Sequence, residues 1–347
     1  MRLDGTDPAA LDAAADRLAA GELIAFPTET VYGLGARADD DAAVAKIFAA
    51  KGRPSDHPLI VHVTDAAQAR TFAAVWPPLA ERLAAAFWPG PLTLIVARQP
   101  HLASAAASGQ GTIGLRCPDH PLAQALLAAA ARRGVAGVAA PSANRFGRIS
   151  PTTAAHVQTE FADLADAVTV LDGGSCAVGI ESAIVDCSRG RPVLLRPGSL
   201  SQERLTLAAG MPVEARDAAA PRDAAAPRAS GTLAAHYAPR AKLRLMPSAA
   251  LADALGIWAE ADAGVSAAAA RPTAPRLAVY SRTVRTPRAA ALVARRMPDA
   301  PRAAAYELFA VLRELDALGV ALIWVEQPPP GAEWAGVRDR LERAAAA

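Results

Sequence analysis

Apolar positions along the chain follow two periods. From Asp7 to Gly21 they recur every three to four residues, at Leu11, Ala14, Ala15 and Leu18. Asp7 stands ready to cap, Pro8 takes the first helical position and Gly21 supplies the stop, so the stretch predicts a helix. The apolar run Leu23 to Phe26 then reads as a strand. A second helix is expected at about 41–50, with Val44, Ile47 and Phe48 inward, before a buried strand at 59–63. Further apolar runs at 92–97, 112–117, 135–140, 168–171, 180–186 and 192–195 read as strands, and helices are expected near 121–132 and 152–161. Helix and strand alternate at first and the strands crowd together later. That order predicts an α/β domain on a twisted mixed sheet, not a purely parallel one.

The pattern breaks near Ala215. Arg216 to Pro221 (RDAAAP) is repeated at Arg222 to Pro227 with no apolar periodicity, which reads as a linker. Beyond it, strands at 243–246, 277–280 and 321–326 are separated by an alanine-rich helix and a long helix at 302–318, with a last helix from about 331. This is the pattern of a small Rossmann-like α/β domain, although it contains neither GxGxxG nor a P-loop, so no nucleotide site is expected there. The expected division is a first domain at 1–210, a connecting segment at 211–240 and a second domain at 241–347.

Composition narrows the class. At 347 residues with 52% hydrophobic content the chain can bury two cores. No run of about 18 uncharged apolar residues occurs, and the first twenty residues carry Asp4, Asp7, Asp12 and Asp16, so a soluble cytoplasmic protein without a membrane span is expected. Cys117, Cys176 and Cys187 fit neither a disulfide framework nor a zinc pattern, and no metal site is expected. A formal net charge of +2 gives no global reason to bind nucleic acid.

The chemistry concentrates in FPTETVYGLG (26–35) and KGRPSDHPLIVHV (51–63). The first delivers Thr28, Glu29, Thr30 and Tyr32 from a strand end to a turn expected at Gly33 and Gly35, where a ligand can approach backbone closely. In the second, Lys51 and Arg53 end a helix before a loop bounded by Pro54 and Pro58. Two cations so spaced suit a polyphosphate, and equally suit a solvated helix end. His62 within an apolar strand is by itself the mark of a core histidine. Polar residues then recur at strand ends: Thr112 and Arg116, Ser142 and Asn144, Ser182, and Arg196. Burying so many polar groups is costly unless they share a ligand pocket, although each of Ser142, Asn144 and Ser150 could serve as a cap or turn residue.

Six motifs in this order, PTETVYGLG, KGRPxxHPLIVH, WPGPLT, APSAN with Ser150, IESAIVD and LLRPG, closely resemble the YrdC-like domain of the threonylcarbamoyl-AMP synthase family over about 21–200. His236-Tyr237-Ala238-Pro239 and the last α/β unit match the long two-domain form, although the approach to His236 (SGTLAAHYAP) is less basic than the resemblance leads one to expect. The resemblance implies a concave groove in which Thr30, His62, Arg116, Ala140 and Ser182 surround L-threonine, with Arg116 on its carboxylate. It places Arg53, His57, Thr112, Ser142, Asn144, Ser150 and Arg196 on ATP, with Lys51 and Arg53 as the catalytic cations and His236 and Tyr237 in a lid. It further implies Mg2+ carried with ATP, bicarbonate as third substrate, and a product passed to a tRNA threonylcarbamoyl-transferase complex.

Two rivals are weighed against this. A double-stranded RNA or tRNA binding module without synthase activity would need a basic face but not Thr30, His62 and Ser182. A carbamoyl-transfer enzyme of hydrogenase maturation would need an extra domain and zinc-binding cysteines that this sequence does not carry. Glu29 is expected to be structural, and no general base is assigned.

Overall fold

A computed structural model describes residues 1–215, 226–266, 276–289 and 291–347. Most of the RDAAAP repeat, 216–225, lies outside the described residues. The chain divides into two compact units, one of 1–146 with 150–232 and one of 147–149 with 233–347.

The first unit opens with β1 (Arg2–Asp4) and α1 (Pro8–Ala19), whose N-cap Asp7 accepts from the Ala9 N–H as the sequence pattern predicts. β2 (Leu23–Phe26) turns back into β3 (Gly33–Arg37). Here the structure corrects the expected glycine turn, because Gly33 and Gly35 are strand residues antiparallel to Phe26 and Ile24. A Cβ on Gly35 would lie 2.8 Å from both Phe26 and Val138, so this glycine makes room for packing and not for a ligand. α2 (Asp41–Lys51) is capped by Asp40 and stopped by Gly52 in the left-handed conformation (φ 60°). β4 (Ile60–His62), α3 (Ala66–Phe72), β5 (Ala73–Val75), α4 (Pro78–Phe87) and β6 (Leu92–Arg98) follow. Then come β7 (Thr112–Arg116), α5 (Pro121–Arg132), β8 (Val138–Ala139), α6 (Ala154–Glu160) and β9 (Val168–Asp172). The unit closes with β10 (Ala183–Asp186), β11 (Val193–Arg196), α7 (Gln202–Ala209) and β12 (Glu214–Ala215).

These strands form one mixed sheet in the order β1-β9-β2-β3-β8-β4-β7-β6-β10-β11-β12, with β5 beside β6. The strand expected over 135–140 shrinks to Val138–Ala139. Gly137 lies against Phe72 and Val61, with 2.8 and 2.9 Å to a hypothetical Cβ, so backbone packs there in place of a paired side chain. Below the sheet a large core gathers Val44, Ile47, Val61, Leu94, Ile113 and Leu115, each contributing roughly 1.5–3 kcal/mol by burial.

The second unit carries β13 (Lys242–Met246), α8 (Ser248–Ser266), β14 (Leu277–Ser281), β15 (Leu292–Arg296), α9 (Pro301–Ala317), β16 (Leu322–Glu326) and α10 (Ala335–Ala345). Its four strands are all parallel, ordered β13-β16-β14-β15. Leu251 and Leu255 of α8 pack on Leu277, Val279 and Trp324. At the C-terminal edge of this sheet Glu326, 1% exposed, accepts from the backbone N–H groups of Arg282, Thr283 and Val284 and from the hydroxyls of Ser248 and Thr283. Burial alone would raise its pKa, but these donors hold it down at about 2.

Candidate active site

Strand register assembles the site. His62 of β4 lies directly opposite Arg116 of β7, and Ile60 opposite Gly114. Gly114 in turn faces Ile95 of β6, Thr93 faces Ile184 of β10, and Ile184 faces Arg196 of β11. Register partners point to the same side of a sheet, so His62, Arg116, Thr93 and Arg196 share one face with an apolar floor of Ile60, Ile95 and Ile184. Along β7 the same face carries Thr112, Gly114 and Arg116, while Ile113 and Leu115 point into the core. Thr112 and Arg116 thereby stand about 13 Å apart along the strand, with no side chain between them.

At the Arg116 end, Thr28 folds the loop between β2 and β3. Its Oγ1 donates to the Val31 carbonyl at 2.7 Å, accepts from the N–H groups of Thr30 and Val31 at 3.2 Å, and lies 2.9 Å from Thr30 Oγ1. Thr30 is thus a fully buried hydroxyl in a fixed place. Glu29, from the same loop, reaches Arg116 at 2.7 Å and accepts from the Asp119 N–H at 3.0 Å, which accounts for the structural role expected of it. The Glu29–Arg116 contact is an ion pair. Arg116 Nε and Nη2 make no hydrogen bond among the described residues. His62 is 3% exposed, meets Phe26 edge-on at 6.1 Å, and has no partner for Nδ1 among the described residues. Burial first, and then the neighbouring Arg116, push its pKa down to about 3, so the imidazole is neutral at ordinary pH. Ala140 donates its N–H to the Ile60 carbonyl at 2.9 Å, which sets its backbone beside this group. Ser182 Oγ lies 2.8 Å from Thr93 Oγ1 and accepts from Arg196 Nη2 at 3.2 Å.

Arg196 links the two ends, because its Nε and Nη2 also donate to the Ser182 carbonyl at 3.1 and 2.9 Å while Nη1 donates to the Ser230 carbonyl at 3.0 Å. Arg53 folds back on its proline-bounded loop, donating to the carbonyls of Pro58 at 2.9 Å and His57 at 3.3 Å, and lies 3.5 Å from Ser230 Oγ. Lys51, at the end of α2, is buried and donates to the Ser142 carbonyl at 2.5 Å and to that of Asn144. Burial, then the nearby Arg53, holds its pKa well below the ordinary lysine value. Ser142 bridges to Gly33, so this lysine ties the loop after β8 to both α2 and β3. Asn144 is buried and donates to the Arg145 carbonyl at 2.7 Å. Ser150 is buried and donates to Glu181 at 2.5 Å.

Residue-by-residue reading missed several partners. Phe146 lies beneath both Arg53, whose guanidinium carbon is 5.9 Å from the ring centroid, and His57, whose ring is 5.4 Å away. It stands in APSANRFGRIS, and an aromatic among polar residues was the available signal. Glu181 and Ser230 were also missed. Ser230 could not be paired with Arg53 and Arg196 without coordinates, lying 177 and 34 residues from them. His236 and Tyr237 belong to the second unit, where Tyr237, in the left-handed region at φ 63°, packs on Phe309 and beneath Arg340. The three cysteines are buried and unpaired with one another. Among the described residues no cluster of three His, Cys, Asp or Glu could hold a metal ion, and no helix is long and apolar enough to cross a membrane.

Residues 16–198 match the Sua5/YciO/YrdC family model, described as "Telomere recombination", and residues 200–346 match the model for the C-terminal domain of threonylcarbamoyl-AMP synthase. The threonylcarbamoyl-AMP synthase of Bacillus subtilis is 42% identical over 245 residues, 70% of this chain and 68% of that protein. That of Pyrococcus abyssi is 41% identical over 64% of each chain. The crystal structure of P. abyssi Sua5 complexed with L-threonine superposes with a TM-score of 0.84 at 32% identity, covering 99% of this chain and 97% of that one. Fold, site and matches together define a two-domain α/β enzyme of the nucleotidyltransferase kind. The chain belongs to the threonylcarbamoyl-AMP synthase family.

Proposed function

We propose that this sheet face binds L-threonine at its Arg116 end and ATP along the Thr112 to Arg196 side, and forms threonylcarbamoyl-AMP and pyrophosphate from threonine, bicarbonate or CO2, and ATP. The observation that carries this reading is the shared face. A guanidinium with a spare Nε, a neutral imidazole and two placed hydroxyls gather at one end, and at the other Arg196 bounds an apolar floor and shares Ser230 with Arg53.

Threonine's carboxylate fits Nε of Arg116, whose Nη2 Glu29 holds at 2.7 Å and so orients the guanidinium. Its hydroxyl and amine fall among Thr30, Ser182, His62 and the backbone of Ala140. A neutral His62 can accept a hydrogen bond there without repelling the ammonium group. The amine, once deprotonated, adds to CO2 to give a carbamate. A carbamate oxygen then attacks the α-phosphate, forming the new P–O bond as the bond to pyrophosphate breaks. Mg2+ carried with ATP would supply part of the charge that steadies the pyrophosphate leaving group. Arg53 and Arg196 face the phosphates, with His57, Thr112, Ser142, Asn144 and Ser150 contacting the rest of the nucleotide. Lys51 adds charge from beneath while holding the loop at Ser142 and Asn144. No side-chain nucleophile is needed. Positioning of the reactants can supply roughly 7–11 kcal/mol of the barrier, and fixed cations the electrostatic remainder. The product would pass to a tRNA threonylcarbamoyl-transferase in the cytoplasm, the compartment that holds ATP and tRNA.

The test is pyrophosphate release from ATP, Mg2+, bicarbonate and L-threonine, with each of the last two omitted in turn. Release that requires both is expected. Release indifferent to threonine would overturn the reading, and ATP binding without release would favour an RNA-binding module in its place.

A further inference from the structure

The second unit carries a concentration of charge that the adenylate chemistry does not use. Between Arg276 and Arg302 the one acidic residue is Asp299, against a run of arginines. Topology gathers several of them. β14 and β15 are parallel with Ser281 opposite Arg296, so Arg282 and Arg296 leave the sheet side by side at its C-terminal edge. Both reach the same Asp299, at 3.7 and 2.7 Å. α9 starts from this edge, and Arg302 is exposed in its first turn. Arg285, also exposed, follows Arg282 by three residues and lines an open cavity of about 720 Å³ with Thr283, Thr286 and the small residues Ala252 and Gly256 of α8.

Arg282 and Arg296 share Asp299, but the remaining charges here are not spent on one another. Arg285, Arg288 and Arg302 make no ion pair among the described residues, whereas Arg295 is taken by Glu314. Glu326, the buried carboxylate at this edge, is saturated by five donors and is not available to the arginines. Exposed guanidiniums spread over a strand end, a loop and a helix start are planar forks suited to successive phosphates. The edge of a parallel sheet where helices begin adds partial positive charge. A single small anion would use only part of this extent, and the cavity beside the arginines offers a base or ribose a place to rest.

We infer that the C-terminal edge of the second unit's sheet is an RNA-docking surface that grips the phosphodiester backbone. It belongs to the second unit, whereas the threonine and ATP face belongs to the first.

The experiment uses the full chain and a fluorescent, unmodified tRNA transcript, with anisotropy read from about 50 to about 200 mM salt. The variant Arg285→Gln/Arg296→Gln/Arg302→Gln replaces exposed residues, and its threonine-dependent pyrophosphate release should stay within about twofold of wild type. If the three arginines neutralise three phosphates, the slope of log affinity against log salt should be shallower in the variant by about 2 to 3. Across that salt range the wild type should then lose roughly 40-fold more affinity than the variant. No binding by the wild type at low salt, or equal affinity and slope in both proteins, overturns the inference. So does displacement of the transcript by poly-L-glutamate as readily as by unlabelled tRNA, which would assign the surface to an acidic protein.

Discussion

Two buried polar clusters stand at strand ends in this molecule, one in each unit, and they differ in how completely they are satisfied. Glu326 in the second unit receives three backbone N–H groups and two hydroxyls, enough to saturate a carboxylate and to hold it ionised with nothing left over. In the first unit Arg116 keeps Nε and His62 keeps Nδ1 without a hydrogen bond among the described residues, although both side chains are nearly inaccessible and Nη2 of Arg116 is ion-paired with Glu29. Leaving such groups unmet costs about 1–3 kcal/mol each unless something else satisfies them. A saturated cluster therefore holds a fold together, and an unsaturated one waits for a ligand.

The sharpest test of that contrast is Arg116→Ala. It should raise the threonine KM at least about 100-fold while the ATP KM stays within about threefold, because a buried charged partner is worth about 3 kcal/mol or more. Arg116→Lys, which retains a charge beside Glu29, serves as the folding control. Equal shifts in both KM values would remove the carboxylate role. Next in size is Glu326→Ala, expected to destabilise the protein by about 3 kcal/mol through its orphaned donors and to lower the melting temperature by several degrees. Substrate KM values should not move. A variant with altered KM and unaltered stability would reverse the assignment of the two clusters. The smallest effect concerns His62, whose folded pKa of about 3 lies below the ordinary 6.5. The unfolded chain takes up this proton first as pH falls, so the stability is whole above about 6.5 and is lost progressively toward about 3. By pH 5 the loss should be about 2 kcal/mol. His62→Asn should flatten the decline in denaturation midpoint between pH 7 and pH 5 by that amount, and an unchanged decline would mean the imidazole is not held neutral.

Much of the fold was legible because it is written in local pattern. Asp7, Pro8 and Gly21 bracket α1 as capping rules require, and the apolar runs at Leu23 and Leu92 became strands within a residue or two. Short elements escaped. β1 pairs through three residues with β9, some 168 positions away, and α7 has little apolar periodicity to announce it. Gly33 and Gly35 misled for an instructive reason. Glycine permits a turn, but it also leaves room for side chains of the two neighbouring strands, and only the positions of Phe26 and Val138 decide which. Within the site, residue types were visible in the motifs and their grouping was not. That His62 and Arg116 stand side by side is a fact of register between strands 54 residues apart, as Cys117 and Thr64 are 53 apart. Register depends on which face is buried, and no single segment encodes that.

Lys51 has a consequence for how the site could be watched in solution. The chain has three lysines, and Lys46 and Lys242 are exposed while Lys51 is 2% exposed with its ammonium held by the Ser142 and Asn144 carbonyls. An amine-acylating reagent should mark Lys242 first, Lys46, whose ammonium donates to the Gly21 carbonyl, next, and Lys51 only when the loop after β8 lifts from α2. A mass spectrum taken over time would then read the opening of this loop as the late acylation of Lys51, with the early acylation of Lys242 in the same molecule as its internal clock.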